Sequence, residues 1–177
     1  MAPPMSSDAH HLLRLYVRDH HTAAAGGVAL ARRCADNNVH TEFERDLAAL
    51  ADAVEEDQRA LEDVMVWLSV SPSPTRLAVA RAGEFVARLK ANGRIVEYSP
   101  SSRIVELEAL SAGVTGKRQL WRALRAVAVG DRTFADPVAA SKLGLLEDGA
   151  SQQLESIVAL HRRAVAVAFV EPSTASS

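Results

Sequence analysis

The sequence predicts an all-α chain folded as a four-helix bundle, and three observations carry that prediction. Alanine, leucine, arginine and glutamate dominate while β-branched residues seldom alternate with polar ones, which favours helix. Apolar residues recur in alternating steps of three and four through four long segments, giving each a narrow apolar stripe. Helix-ending residues fall between those segments: Asn37-Asn38, Pro72 and Pro74, Asn92-Gly93, and Gly130.

Taken in order, the first helix is expected over 8–36, from Asp8 with Ser7 as its N-cap to the Asn37-Asn38 stop. The second is expected over 42–69, with Thr41 as cap and Glu44 three residues on as a capping box. It ends before Pro72, which cannot continue it. A shorter helix over 75–91 closes at Asn92-Gly93, and 94–101 reads as a loop with Ile95-Val96 as a short extended piece. The third long helix spans 103–129, and the fourth spans 137–169 with Pro137 in its first turn. Gly113, Gly116, Gly144 and Gly149 are where the last two would kink or break. Residues 8–169 form one domain, flanked by a disordered stretch over 1–7 and a small, polar disordered tail over 170–177.

Composition narrows the function classes. Apolar residues make up 48% and charged residues 24% of the 177, ordinary for a soluble globular domain. A net charge of -2 supplies no field for nucleic acid or anionic lipid, and 5% aromatics is too few for a base-stacking surface. No apolar run approaches the ~20 residues that cross a bilayer, and MAPPMSSDAHH does not read as a signal peptide. The expected location is cytoplasmic. Cys34 is the single cysteine, so no internal disulfide forms.

The stripes place polar residues inside the bundle. They run Leu13, Tyr16, His20, Ala23, Gly27, Leu30, Cys34 on the first helix, and Phe43, Leu47, Leu50, Val54, Asp57, Leu61, Val64, Leu68 on the second. The third offers Leu107, Leu110, Val114, Lys117, Trp121, Leu124, with Leu120 and Val127 marking a shifted alternative face from which Lys117 would snorkel outward. The fourth offers Leu143, Leu146, Ala150, Gln153, Ile157, Leu160, Ala164, Val167. A turn near Val39 sets His20 opposite Asp57, with Asp19 near Arg59 off the seam. His21 faces solvent or the bundle edge, His10 and His11 are adventitious metal binders at most, and Cys34 is a buried apolar thiol.

Two long helices, a crossover of about 25 Å of helix, and two more long helices make a connectivity that resembles the ferritin-like superfamily. The resemblance covers residues 8–169 and rests on helix order and lengths. It implies a third helix parallel to the second, with Lys117 at the height of Asp57, Gln153 lower opposite Val114, and Glu106 level with His161. It would also imply two Glu-x-x-His motifs for a di-metal centre. No glutamate here has a histidine three residues later; Glu56 is followed by Arg59 and Glu155 by Val158. Only Asp8 and His11 have that spacing, at the start of the first helix.

Two readings of the polar layer follow. In one, His20, Asp57 and Lys117 form a satisfied core cluster, Asp57 accepting from His20 and Lys117 supplying the charge a metal would bring. In the other, His20 and Asp57 are an acid/base pair or the core of a site for Fe, Mn or Zn, with Glu56, Glu106 or His161 as further candidate ligands. SAGVTGK (111–117) lacks the spacing of a phosphate loop. Arg76, Arg81, Arg88, Lys90 and Arg94 give the crossover a basic face that would serve an anion or nucleic-acid binder. The small residues from Ala23 to Gly27 suit close helix approach within the bundle or across a dimer. The leading expectation is a non-catalytic, ferritin-like scaffold or interaction module without cofactor, acting as a homo-oligomer or on another helical protein. The alternative is an enzyme centred on His20 and Asp57, and no small-molecule ligand is legible.

Overall fold

The computed structural model describes residues 5–72, 98–131 and 136–170. Four helices account for all regular structure among them: α1 (Ser7–Asp36), α2 (Glu44–Trp67), α3 (Pro100–Gly130) and α4 (Pro137–Phe169). The expected crossover helix over 75–91, with its basic face, lies outside the described residues, as do most of the expected loop and terminal segments. No helix among the described residues is long and apolar enough to cross a membrane.

Local chemistry sets each boundary. Ser6, rather than Ser7, caps α1, its hydroxyl accepting from the Ala9 N–H at 3.2 Å. The α1–α2 turn uses a left-handed backbone at His40 (φ 65°). Thr41 Oγ1 accepts from Phe43 N at 3.2 Å and the Glu44 carboxylate accepts from His40 N at 2.7 Å. These bonds hold 41–43 in the turn, so α2 begins two residues later than its sequence signal. α3 begins earlier than expected because Pro100 fits a first turn and Ser99 and Ser102 cap it reciprocally. Asp136 caps α4 through Val138 N and Ala139 N. Both α3 and α4 run unbroken through their glycines. They are the most extensively paired helices, and packing along their length overrides the local cost of glycine.

Side-chain contacts fix the directions. Arg103 lies over the Phe43 ring at 3.9 Å and Lys117 meets Asp57, so α3 runs parallel to α2 with a constant offset. Arg163 meets Asp46 while Gln153 meets Asp57, so α4 runs antiparallel to α2. Glu106 pairs with Arg33 at the C-terminal end of α1, which makes α1 antiparallel to α3. α1 contacts α2 and α3, α4 contacts α3, and α2 touches α4 least.

The core follows the expected stripes on α2, α3 and α4, with Leu47, Leu61, Leu107, Trp121, Ala150 and Ile157 all nearly inaccessible. On α3 both Trp121 of the principal face and Leu120 of the shifted one are buried, and Lys117 points inward instead of snorkelling. α1 departs in its N-terminal half: Val17 and Gly26 are buried, whereas Tyr16 and Ala23 are exposed. The expected stripe therefore does not hold in that stretch of α1, which borders the space described next.

Candidate functional site: a cavity beside a buried ion pair

Seam positions on parallel α2 and α3 bring Asp57 and Lys117 together, and antiparallel α4 adds Gln153. Lys117 Nζ donates to Asp57 Oδ2 and to Gln153 Oε1, and Gln153 Nε2 donates to Asp57 Oδ2 at 2.7 Å. The result is a closed ring of three side chains from three helices. The Lys117 and Asp57 side chains are only 16% and 13% exposed. Burial holds the Lys117 ammonium below its ordinary range, with Asp57 opposing the shift. Gln153 therefore belongs to the Lys117 layer and not to the lower level, opposite Val114, expected for it.

His20 shares this layer but not the ring. It is half-buried, its ring lies edge-on to Tyr16 at 4.6 Å, and no hydrogen bond joins it to Asp57, whose bonds go to Lys117 and Gln153 instead. Burial lowers the His20 pKa, opposed by Asp19. Its neighbour Asp19 also differs from expectation. Arg59 pairs with Glu55 at 3.3 Å, not with Asp19, which is exposed. His21 takes the edge position of its two expected settings, with Nε2 3.5 Å from Glu62 on α2 and 17% of its side chain exposed.

Beside the ring lies a cavity of about 870 Å³ between α1, α2 and α3, into whose lining His20, Asp57 and Lys117 all enter. Its described walls are otherwise mainly apolar, with Leu30, Leu61, Leu110 and Trp121 among them. Gly27 and Gly113 line it from facing helices, and a Cβ added at either would meet nothing within 4 Å. A second pocket of about 470 Å³ lies where Trp67 on α2 meets Leu143 and Leu146 on α4.

The remaining metal-ligand candidates are scattered. Glu56 is exposed on α2. His161 Nε2 lies 3.2 Å from Glu108, not beside Glu106. Glu106 is buried and held by Arg33 at 2.6 Å and the Tyr98 hydroxyl at 2.9 Å. Among the described residues no three His, Cys, Asp or Glu side chains come together to hold a metal ion. A lysine beside Asp57 and an arginine beside Glu106 stand where a di-metal protein needs ligands, so these residues do not fit the centre that the ferritin-like resemblance would imply.

Sequence reasoning missed the second polar cluster, at the C-terminal end of α1. Asn38 is fully buried; its amide nitrogen donates to Cys34 O at 2.6 Å and to Tyr98 Oη at 2.7 Å, and its Oδ1 accepts from Arg103 Nε. Cys34 Sγ lies 4.0 Å from Tyr98 Oη, so the thiol sits among polar groups and not in the apolar setting expected. Burial, reinforced by Glu106, pushes its pKa up to about 12. One signal was available: extending the α3 stripe four residues back from Leu107 lands on Arg103.

Comparison with protein-family models, with curated proteins and with solved structures finds no match for this chain. The cluster around Asn38 is buried and leaves Arg33 Nε and Arg103 Nη1 without hydrogen-bond partners among the described residues, whereas the ring around Asp57 fronts an apolar space of the size that holds small molecules, roughly 300–1,000 Å³.

Proposed function

We propose that this chain is a non-catalytic, ferritin-like helical bundle that works as a binding module, taking an apolar small molecule into the cavity between α1, α2 and α3. One observation carries the reading: about 870 Å³ of space whose described walls are mainly apolar lies between α1, α2 and α3, with the hydrogen-bonding side chains of Asp57 and Lys117 at its edge. A mainly apolar space of that size with a few polar groups is the usual form of a small-molecule site. The Asp57–Lys117 pair supports the non-catalytic part, since the ammonium balances a carboxylate that a metal would otherwise neutralise.

The enzyme alternative needs His20 to act on or with Asp57, and the two do not touch. Homo-oligomer formation, or docking to another helical protein, remains part of the proposal. Exposed Leu12 and Leu15 on α1 support it, and light scattering tests it. The reading also carries a cytoplasmic location, which cell fractionation tests.

The neutral dye N-phenylnaphthylamine, which brightens in apolar surroundings, tests the binding claim. Saturable brightening is expected with the wild type and its loss with Gly113→Leu, which adds an isobutyl group to the cavity lining. The melting temperature should not fall, because the substitution removes a glycine and meets no neighbour at Cβ. Equal brightening by both proteins would overturn the reading.

A further inference from the structure

We infer that the cavity's ligand carries, on its apolar body, one uncharged head that both donates and accepts a hydrogen bond, a hydroxyl or a primary amide, set against Lys117 and Asp57. The inference rests on the binding reading above and adds the chemical class.

The ring's hydrogen-bond inventory supplies the argument. A lysine ammonium has three donors, and Lys117 uses two, on Asp57 Oδ2 and Gln153 Oε1. A carboxylate has two acceptor oxygens, and both bonds to Asp57 fall on Oδ2, leaving Oδ1 without one. One donor and one acceptor therefore remain on adjacent side chains that both line the cavity. Their complement is a group with one acceptor and one donor of its own.

Charge narrows the class further. Asp57 and Lys117 cancel, and Gln153 carries no charge. His20 stays neutral at neutral pH because burial lowers its pKa. Asp19, exposed, adds a negative charge to the lining. A carboxylate or phosphate head would enter a largely apolar space with no unmatched cation to receive it, and an ammonium head would compete with Lys117 for a carboxylate already engaged. Burying a charge without a partner is far more costly than burying a paired hydroxyl.

The test is displacement of N-phenylnaphthylamine by decanol, decanoate and decylamine, which share one chain and differ in head. The wild type should prefer decanol by about tenfold or more over either ion. Asp57→Asn leaves Lys117 uncancelled and should shift the preference towards decanoate by at least about tenfold; Lys117→Gln should shift it towards decylamine. The wild-type ranking needs no variant to fold, so the inference stays exposed even if both substitutions destabilise. Dye binding with decanoate or decylamine matching decanol would overturn the head-group inference and leave the binding reading standing. Dye binding that is absent, or untouched by Gly113→Leu, would overturn the binding reading itself.

Discussion

Two regions of this bundle bury charged side chains, and they differ in what lies beside them. At the C-terminal end of α1, Asn38, Arg103, Tyr98 and Glu106 bond to one another, with Arg33 closing on Glu106 and the Phe43 ring under Arg103. Midway along the bundle, Asp57, Lys117 and Gln153 are equally engaged with one another but front about 870 Å³ of mainly apolar space. The first region joins α1 to α3 and holds the turn into α2. Both keep unused hydrogen-bonding capacity, but that of the first, on Arg33 Nε and Arg103 Nη1, is buried, whereas that of the second borders a cavity. The lesson is that satisfaction alone does not separate a structural polar cluster from a binding one; the neighbouring volume does.

The largest expected effect lies in the closed region. Glu106→Ala leaves Arg33 buried without its carboxylate and removes an acceptor from Tyr98, so it should cost about 3–5 kcal/mol in denaturant unfolding. A loss below about 1 kcal/mol would mean that this cluster does not hold α1 to α3. Next comes the open region, where Asp57→Ala should cost about 2 kcal/mol because Lys117 loses its counter-charge. Asp57→Leu combined with Lys117→Met should cost less than the two single changes summed, though not nothing, since the Gln153 amide loses both partners. Additive losses would show that the ring is not a coupled unit.

The smallest effect is a pH dependence. The folded state lowers the His20 pKa below the ordinary imidazole value of 6.5. Between that lowered value and 6.5 the unfolded chain binds more protons, so stability is fully present above 6.5 and is lost as pH falls through this window. Melting curves of wild type and His20→Gln should therefore converge with acidification, the wild type losing more. Parallel curves would place His20 in a solvated setting.

The fold was legible to the extent that one face of each helix meets the core. α2, α3 and α4 do so along their length, and their stripes, including Asp57, Lys117 and Gln153, sit where the three–four spacing puts them. α1 does so only near Leu30 and Cys34. Towards its N-terminus it borders the cavity, so the periodicity no longer reports which side is buried, and Tyr16, His20 and Ala23 read as core when they are not. The Asp57–Lys117 contact followed from a parallel α2 and α3. The absence of a His20–Asp57 bond could not be read, because the expected stripe does not hold in the part of α1 that carries His20. The Asn38–Arg103–Tyr98 cluster joins residues about 60 apart, and of the three only Arg103, on the extended α3 stripe, carries a periodic signal. A cavity is a property of packing between helices and leaves no periodic trace in the sequence.

The two tryptophans, one at each pocket, allow the most direct test of the central claim. Trp121 is fully buried and lines the large cavity, while Trp67 lines the smaller pocket. In a Trp67→Phe variant, Trp121 is the sole tryptophan, and its emission is to be followed as N-phenylnaphthylamine is added. Saturable quenching of Trp121, with energy transfer to the dye and loss of both on Gly113→Leu, is the predicted result. Unchanged Trp121 emission, alongside quenching of Trp67 in a Trp121→Phe variant, would contradict the account and move the binding site to the smaller pocket.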